Sequence, residues 1–299
     1  MPYKKRDPWT RGMRQYLKEI DPMICKETRR QYVYWLETAG ETLGSPNPKT
    51  VKLSKMRGLE FSSAMAENSK AVRASVVRTF LKWAGNKDAM KWRLSYRVRS
   101  KEDGVYLSEP QVTHLRRIAH SLGVHHELMF TLGVDNGLRA VDMRRLKMTD
   151  VQNLLSKGKS KIIGKGRNGG KPGLLKLNKI SVPAIQEYLR FRRQLTERYG
   201  LDFKDFWVVE TRRGLHPIRY DEQRGVCMEV SKQAAIFFRT HDQRRTFGHR
   251  LHAVGVPIET IARMMRHESI NTTFKAYIGI LDDEMERALE KLCPQEQLV

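Results

Sequence analysis

The sequence predicts a mainly α-helical protein with a small β-sheet, built as an N-terminal helical bundle followed by a mixed α/β second half. Three observations carry that reading. Residues 1–100 read as helix throughout, with apolar positions at helical spacing. One stretch of the second half, KSKIIGKGRNGGKPGLLKLN, pairs two short apolar runs around a glycine-rich turn. Between the halves, RVRSKEDGVYL (97–107) mixes charges with a single glycine and shows almost no apolar periodicity. It marks a linker, dividing the chain into domains 1–100 and 101–299.

The elements follow in order. Residues 23–39 are helical in pattern and are expected to stop at Gly40, before the breaker GETLGSPNPKT. A second helix is expected over 51–65. A third runs from Lys70 to Ala84, with Val72, Val76, Phe80 and Trp83 as its buried stripe and Gly85 as its cap. Its polar face, Lys70, Arg73, Arg78 and Lys82, suits a phosphate backbone. Ser108 opens the second half as an N-cap, with Gln111 three residues on completing a capping box. Helices are expected near 108–121, 125–135 and 140–147. The hairpin then places strands at 160–164 and 173–178. Helix 181–199 tolerates Pro183 in its first turn, FWVVE (206–210) reads as a short strand, and 221–292 is mostly helical.

Charge narrows the partner. Lys and Arg number 56 against 33 Asp and Glu in 299 residues, a formal net charge of +23. Such a surface attracts polyanions, and with no basic amphipathic anchor in view the expected polyanion is nucleic acid rather than a membrane. No apolar run is long enough to span a bilayer, and no apolar segment follows the basic N-terminus, so no signal peptide is expected. Cys25, Cys227 and Cys293 are far apart and read as reduced thiols, which points to the cytoplasm. His249 and His252, and the adjacent His125 and His126, lack a third ligand at zinc-like spacing, so no metal site is expected.

The chemistry is concentrated in four short motifs. In HDQRRTFGHRLHAVG, helical geometry gathers Phe247, Leu251 and Val254 into a buried stripe. Arg244 then lies about 55° from its middle and Arg245 about 155°. Arg244 therefore flanks the core, whereas Arg245 points to solvent or DNA. His241 sits near the helix start, where an anion is favoured. By itself the pattern is a weak signal and suits a solvated basic helix better than a catalytic cluster. VDNGLRAVDMRRL adds Arg139 just after a helix-ending Asn-Gly, IIGKGRN adds Lys165 near a strand end, and MMRHESINTTFKAYIGI adds His267 and, ten residues on, Tyr277.

These motifs, in this order, resemble those of the tyrosine recombinases, the phage-integrase and Xer-type family. The resemblance covers the second half in order; the first half fits the family's helical core-binding domain by composition and helix pattern alone. It implies a site-specific recombinase or integrase that cuts and rejoins duplex DNA through a 3′-phosphotyrosine, without metal, ATP or any cofactor. Tyr277 would be the nucleophile, Arg139 and Arg244 the phosphate-binding pair, and Lys165 the general acid. His241 would assist proton transfer, and His267 would hydrogen-bond the phosphate. Lys171 is an alternative acid to Lys165. Supporting DNA contacts are expected from Arg73, Lys82, Arg167, Lys171, Arg245 and Arg266. The resemblance further implies a homotetramer on specific recombination sites, in a prokaryotic cell, its virus or its plasmid, associated with the nucleoid. A type IB topoisomerase-like activity, or a DNA-binding regulator that lost catalysis, are the alternatives.

Three departures stand out. Gln243 occupies the place before the arginine pair where the family often has Leu, Arg266 precedes the second histidine where it often has Gly, and the spacing from His267 to Tyr277 is ten where nine is also common. After Tyr277, residues 281–299 suggest an acidic-ended helix capped by Asp282 or Asp283, with a Met285, Leu289, Leu292 stripe. It is expected to dock on a neighbouring protomer or to pack on its own domain.

Overall fold

The computed structural model describes residues 7–60, 67–94, 106–164, 170–267 and 270. The chain divides into two compact units, the first over residues 1–100 and the second over nearly all the remainder.

The first unit is all helical: α1 (Pro8–Ile20), α2 (Lys26–Leu43), α3 (Leu53–Gly58), α4 (Glu67–Trp83) and α5 (Lys87–Lys91). Asp7 starts α1 by accepting the Thr10 amide at 2.9 Å. Trp9, Tyr16, Leu36, Phe80 and Trp92 form the centre of one apolar core. Gly40, expected to end a helix, lies inside α2. A Cβ there would stand 2.6 Å from the Trp9 indole, and that indole donates to the Leu36 carbonyl at 2.9 Å. The glycine admits a close approach, and the helix is ended instead by Gly44 at φ +75. The helix expected over 51–65 shortens to α3, preceded by a 3-10 turn at Pro48–Thr50; residues 61–66 lie outside those described.

The face of α4 is rotated from the expected one. Val72 is exposed, whereas Arg73, Ala74 and Val77 are buried with Val76 and Phe80. Arg73 donates to the Leu59 carbonyl at 2.5 Å, so it is a buried tie between chain segments and not a surface cation. Position in the helix decided this, because Arg73 sits one residue before Ala74 on the side that meets the rest of the bundle. The exposed cations of this unit include Lys49, Lys52, Lys55 and Arg57, on and just before α3.

The second unit runs α6 (Glu109–Leu122), α7 (Val124–Asn136), α8 (Ala140–Arg145), α9 (Met148–Lys157), β1 (Lys159–Gly164), β2 (Lys171–Lys176), α10 (Val182–Tyr199), β3 (Val208–Thr211), β4 (Gly214–Pro217), α11 (Tyr220–Gln233), α12 (Thr240–Ala253) and α13 (Ile258–Met264). The Ser108–Gln111 capping box is formed: the Ser108 amide donates to Gln111 Oε1 at 2.9 Å, and Ser108 Oγ accepts the Gln111 amide. The expected linker falls mostly outside the described residues, but Leu107 at its end is buried and its amide donates to Thr246 Oγ1 at 2.9 Å.

α7 is the hub. It is buried along its whole second half, from Leu128 to Asn136, and packs against α6, α10, α11 and α12. β1 and β2 pair antiparallel with Ser160 opposite Leu175 and Ile162 opposite Gly173. Ser160, Ile162 and Gly164 face inward, and Lys159, Lys161 and Ile163 outward. FWVVE does enter a strand, β3, but it pairs with β4 as a second two-stranded sheet separate from the first.

Candidate active site

The site is built where three segments of the second unit converge. The first is the α7–α8 junction. Gly137 turns the chain at φ +60, and a Cβ there would overlap the Phe247 ring, so glycine answers both conformation and space. Asn136 braces the turn: its Nδ2 donates to Ser181 Oγ at 2.5 Å, and its Oδ1 accepts the Asn178 amide at 2.8 Å. Arg139 then occupies the N-cap of α8 and leaves from a fixed helix start.

The second segment is α12. Its first turn is capped by Asp242, which accepts the Arg239 amide at 2.9 Å, and it carries His241. Arg244 is enclosed, with no exposed surface. Its Nη1 donates to the Gly137 carbonyl and its Nη2 to the Met265 carbonyl. Arg245 keeps part of its surface and pairs with Asp242 at 3.4 Å. The two arginines divide as their helix angles predict, though Arg244 is enclosed more completely than a flanking position requires. Val254, placed in the buried stripe, is exposed, because α12 ends at Ala253 and the chain leaves helical geometry there.

The third segment is the turn after α13. The Arg266 amide donates to Arg263 O and the His267 amide to Ala262 O, both at 3.0 Å. This is a Schellman arrangement, and Arg266 sits at its left-handed position with φ +53. The turn presents His267. Arg139 Nη2 donates to the Arg266 carbonyl at 3.2 Å. Arg139 and Arg244 thus hold the carbonyls of two consecutive residues, Arg266 and Met265, immediately before the histidine.

One acid joins these parts, and the motifs alone do not reveal it. Asp142 is buried three residues after Arg139. Its Oδ2 lies 2.8 Å from Arg266 Nη2 and 3.7 Å from Arg139 Nη1. The available signal was an acid in the first turn of α8, one turn on from an arginine at its cap, where their side chains meet. Arg266, expected among DNA-contact cations, is instead a nearly buried partner of Asp142.

Electrostatics follow from the crowding of cations. Burial, and then Arg244, Arg139, His241 and Arg266, push the His267 imidazole down to about 4. Burial and then Arg245 and Arg244 hold His241 below its ordinary value, with Asp242 opposing. Both rings are therefore neutral at pH 7 in the protein without DNA. A neutral imidazole carries one donor nitrogen and one acceptor nitrogen.

The structure brings Arg139, His241, Arg244 and His267 together. Lys165, Arg167 and Tyr277 lie outside the described residues. Gly164, which precedes Lys165 in sequence, accepts a hydrogen bond from Arg145 Nη1 at 3.0 Å, and a Cβ on it would stand 3.2 Å from Asp142 Oδ1. Lys171 is exposed and Lys82 half-buried. Among the described residues no helix is long and apolar enough to cross a membrane.

The sequence profile of the phage integrase family matches residues 106–284, more than half of the chain. The chain belongs to the phage integrase family. Its class is that of the tyrosine site-specific recombinases. Among curated relatives, tyrosine recombinase XerA of Pyrococcus horikoshii is 25% identical over 295 residues, 92% of this chain and 96% of the relative. XerA of Pyrococcus furiosus is 23% identical over 278 residues, 92% and 91%. Among solved structures, Tn1549 transposon integrase in complex with a circular intermediate DNA aligns with a TM-score of 0.72 at 15% identity, covering 94% of this chain and 100% of that one. A lambda integrase tetramer bound to a Holliday junction aligns at 0.62 and 14% identity, covering 88% and 76%.

Within the integrase fold, one departure from the usual motifs has a local reason and a second runs against its backbone. Gln243 is buried against Gly133 of α7, where a Cβ would overlap Gln243 Oε1. A longer polar side chain is accommodated because the facing residue has none. Arg266 stands where the left-handed backbone favours glycine.

Proposed function

We propose that this integrase cuts and rejoins duplex DNA at specific sites through Tyr277. The phenolic oxygen attacks phosphorus, the 5′-oxygen leaves with a proton from Lys165, and a 3′-phosphotyrosine forms. A 5′-hydroxyl from a second strand then attacks that phosphorus and releases the tyrosine. Bond energy is kept in the phosphotyrosine, so neither ATP nor a metal is needed.

The observation that carries this reading is the convergence of Arg139 and Arg244 on the turn that presents His267. It supplies fixed positive charge for an anionic transition state with no reorganisation at the moment of reaction. Removing a single donor of this kind typically costs about 2.7–4 kcal/mol of barrier. Neutral His241 suits acceptance of the tyrosine proton, and neutral His267 suits donation to a phosphate oxygen. Lys171, Arg245 and Arg167 are read as backbone contacts, and the first unit as a second DNA-binding domain. By likeness to the lambda integrase tetramer on a Holliday junction, the working assembly is a tetramer joining two DNA sites.

A nicked suicide substrate tests the chemistry, because loss of the short strand traps the covalent adduct. The wild-type chain should form an adduct resistant to denaturation. Tyr277→Phe should form none and bind the same DNA as well. An adduct that survives this substitution overturns the tyrosine assignment, and its absence from wild type leaves only a DNA-binding protein.

A further inference from the structure

Arg266 is locally expensive. A non-glycine residue at φ +53 costs about 1 kcal/mol or more relative to glycine. Its side chain is nine-tenths buried, and its Nε and Nη1 find no hydrogen-bond partner among the described residues. Glycine would avoid all three costs, so backbone geometry does not explain the residue, and simple stabilisation explains it poorly.

What the side chain does is join three segments. Its Nη2 meets Asp142 Oδ2 at 2.8 Å. Its stem lies over β2, where a Cβ on Gly173 would stand 2.9 Å from Arg266 Cδ. Asp142 in turn faces Gly164 at the end of β1 and lies 3.7 Å from Arg139 Nη1. The carbonyl of the same Arg266 accepts Arg139 Nη2. One residue thus touches the turn of His267, the helix start of Arg139 and the hairpin that leads to Lys165.

We infer that Arg266 is a positioning residue that ties the turn presenting His267 to the β1–β2 hairpin through Asp142 and Gly173. The hairpin delivers the proposed acid, and the turn delivers the proposed phosphate donor. A shared anchor keeps the two in one register while DNA enters. This rests on the recombinase reading for its catalytic meaning, but the tie itself is a property of the protein without DNA.

Arg266→Gly is the informative variant, since glycine suits the backbone and the chain should fold. Two readouts are needed. In the DNA-free protein, amide exchange in β1 and β2 should accelerate roughly tenfold relative to α10, as expected when a local anchor is removed. On a nicked suicide substrate at saturating protein, adduct formation should slow roughly tenfold to a hundredfold, as for a small misplacement of reacting groups. DNA affinity should hold within about twofold. Arg266→Lys, which keeps the charge and one donor toward Asp142, should recover part of the rate, and adding Arg266→Gly to Asp142→Asn should slow cleavage little further. Wild-type cleavage by Arg266→Gly overturns the proposal. So does a drop in affinity that accounts for the slower rate, because Arg266 would then be touching DNA. If the wild-type chain forms no adduct, the recombinase reading fails, and hairpin exchange alone decides: unchanged exchange in Arg266→Gly refutes the tie.

Discussion

His267 and Arg244 show how enclosure sets the hydrogen bonding and the protonation of single residues. Arg244 is shut off from solvent, and its guanidinium is met by the Gly137 and Met265 carbonyls. A buried cation is tolerable only when such acceptors surround it. His267, close to this charge, is held down to about 4 against an ordinary histidine value of about 6.5. The folded protein therefore binds fewer protons than the unfolded chain between those values. Its stability is full above about pH 6.5 and falls as pH drops toward 4. His241, shifted in the same direction, adds to the loss. Urea titrations across this window should show a smaller loss for His267→Gln than for wild type. An equal loss would place the acid sensitivity elsewhere. Bound DNA phosphate should raise the His267 value, since an anion favours the imidazolium. An NMR titration of the ring in free and DNA-bound protein reads that shift directly.

At the scale of elements, α3 and α4 separate what a residue type suggests from what its position makes of it. Helical periodicity locates α4 but not its rotation. Arg73 is a cation by composition and an internal tie by position. The surface charge of the first unit is carried instead by residues such as Lys49, Lys52, Lys55 and Arg57. Replacing Lys52, Lys55 and Arg57 with glutamine should flatten the dependence of DNA affinity on salt, by about 0.9 in log–log slope for every phosphate no longer neutralised. Arg73→Met should lower the urea midpoint and leave that slope unchanged. A slope unaffected by the triple change would move the DNA-binding face off α3. The same distinction separates Gly40 from Gly44: both are breakers by residue type, yet one admits Trp9 and the other ends α2.

For the molecule as a whole, a net charge of +23 makes non-specific attraction to DNA strong and salt-sensitive. The acidic-ended tail, 281–299, lies outside the described residues, and its expected role is to join protomers. Deleting it should leave binding to a single site within about twofold, since it carries few cations. It should remove the fast-sedimenting species that marks pairing of two DNA sites in analytical ultracentrifugation. A truncated protein that still pairs sites and recombines would assign the tail to packing on its own domain.

Membership of the family was legible along the chain, because Arg139, His241, Arg244 and His267 lie in local motifs whose spacing survives without tertiary knowledge. The capping box at Ser108 and the hairpin were legible for the same reason: each is decided by neighbours within a few residues. The enclosure of Arg244, the burial of Arg73, the Gln243–Gly133 fit and the sharing of Asp142 between Arg139 and Arg266 were not. Each depends on which distant side chain fills the space opposite, and periodicity carries no information about that partner. Sequence determined which residues could form a phosphate site; packing around α7 decided that two arginines would hold the turn of His267 and that a third would anchor it.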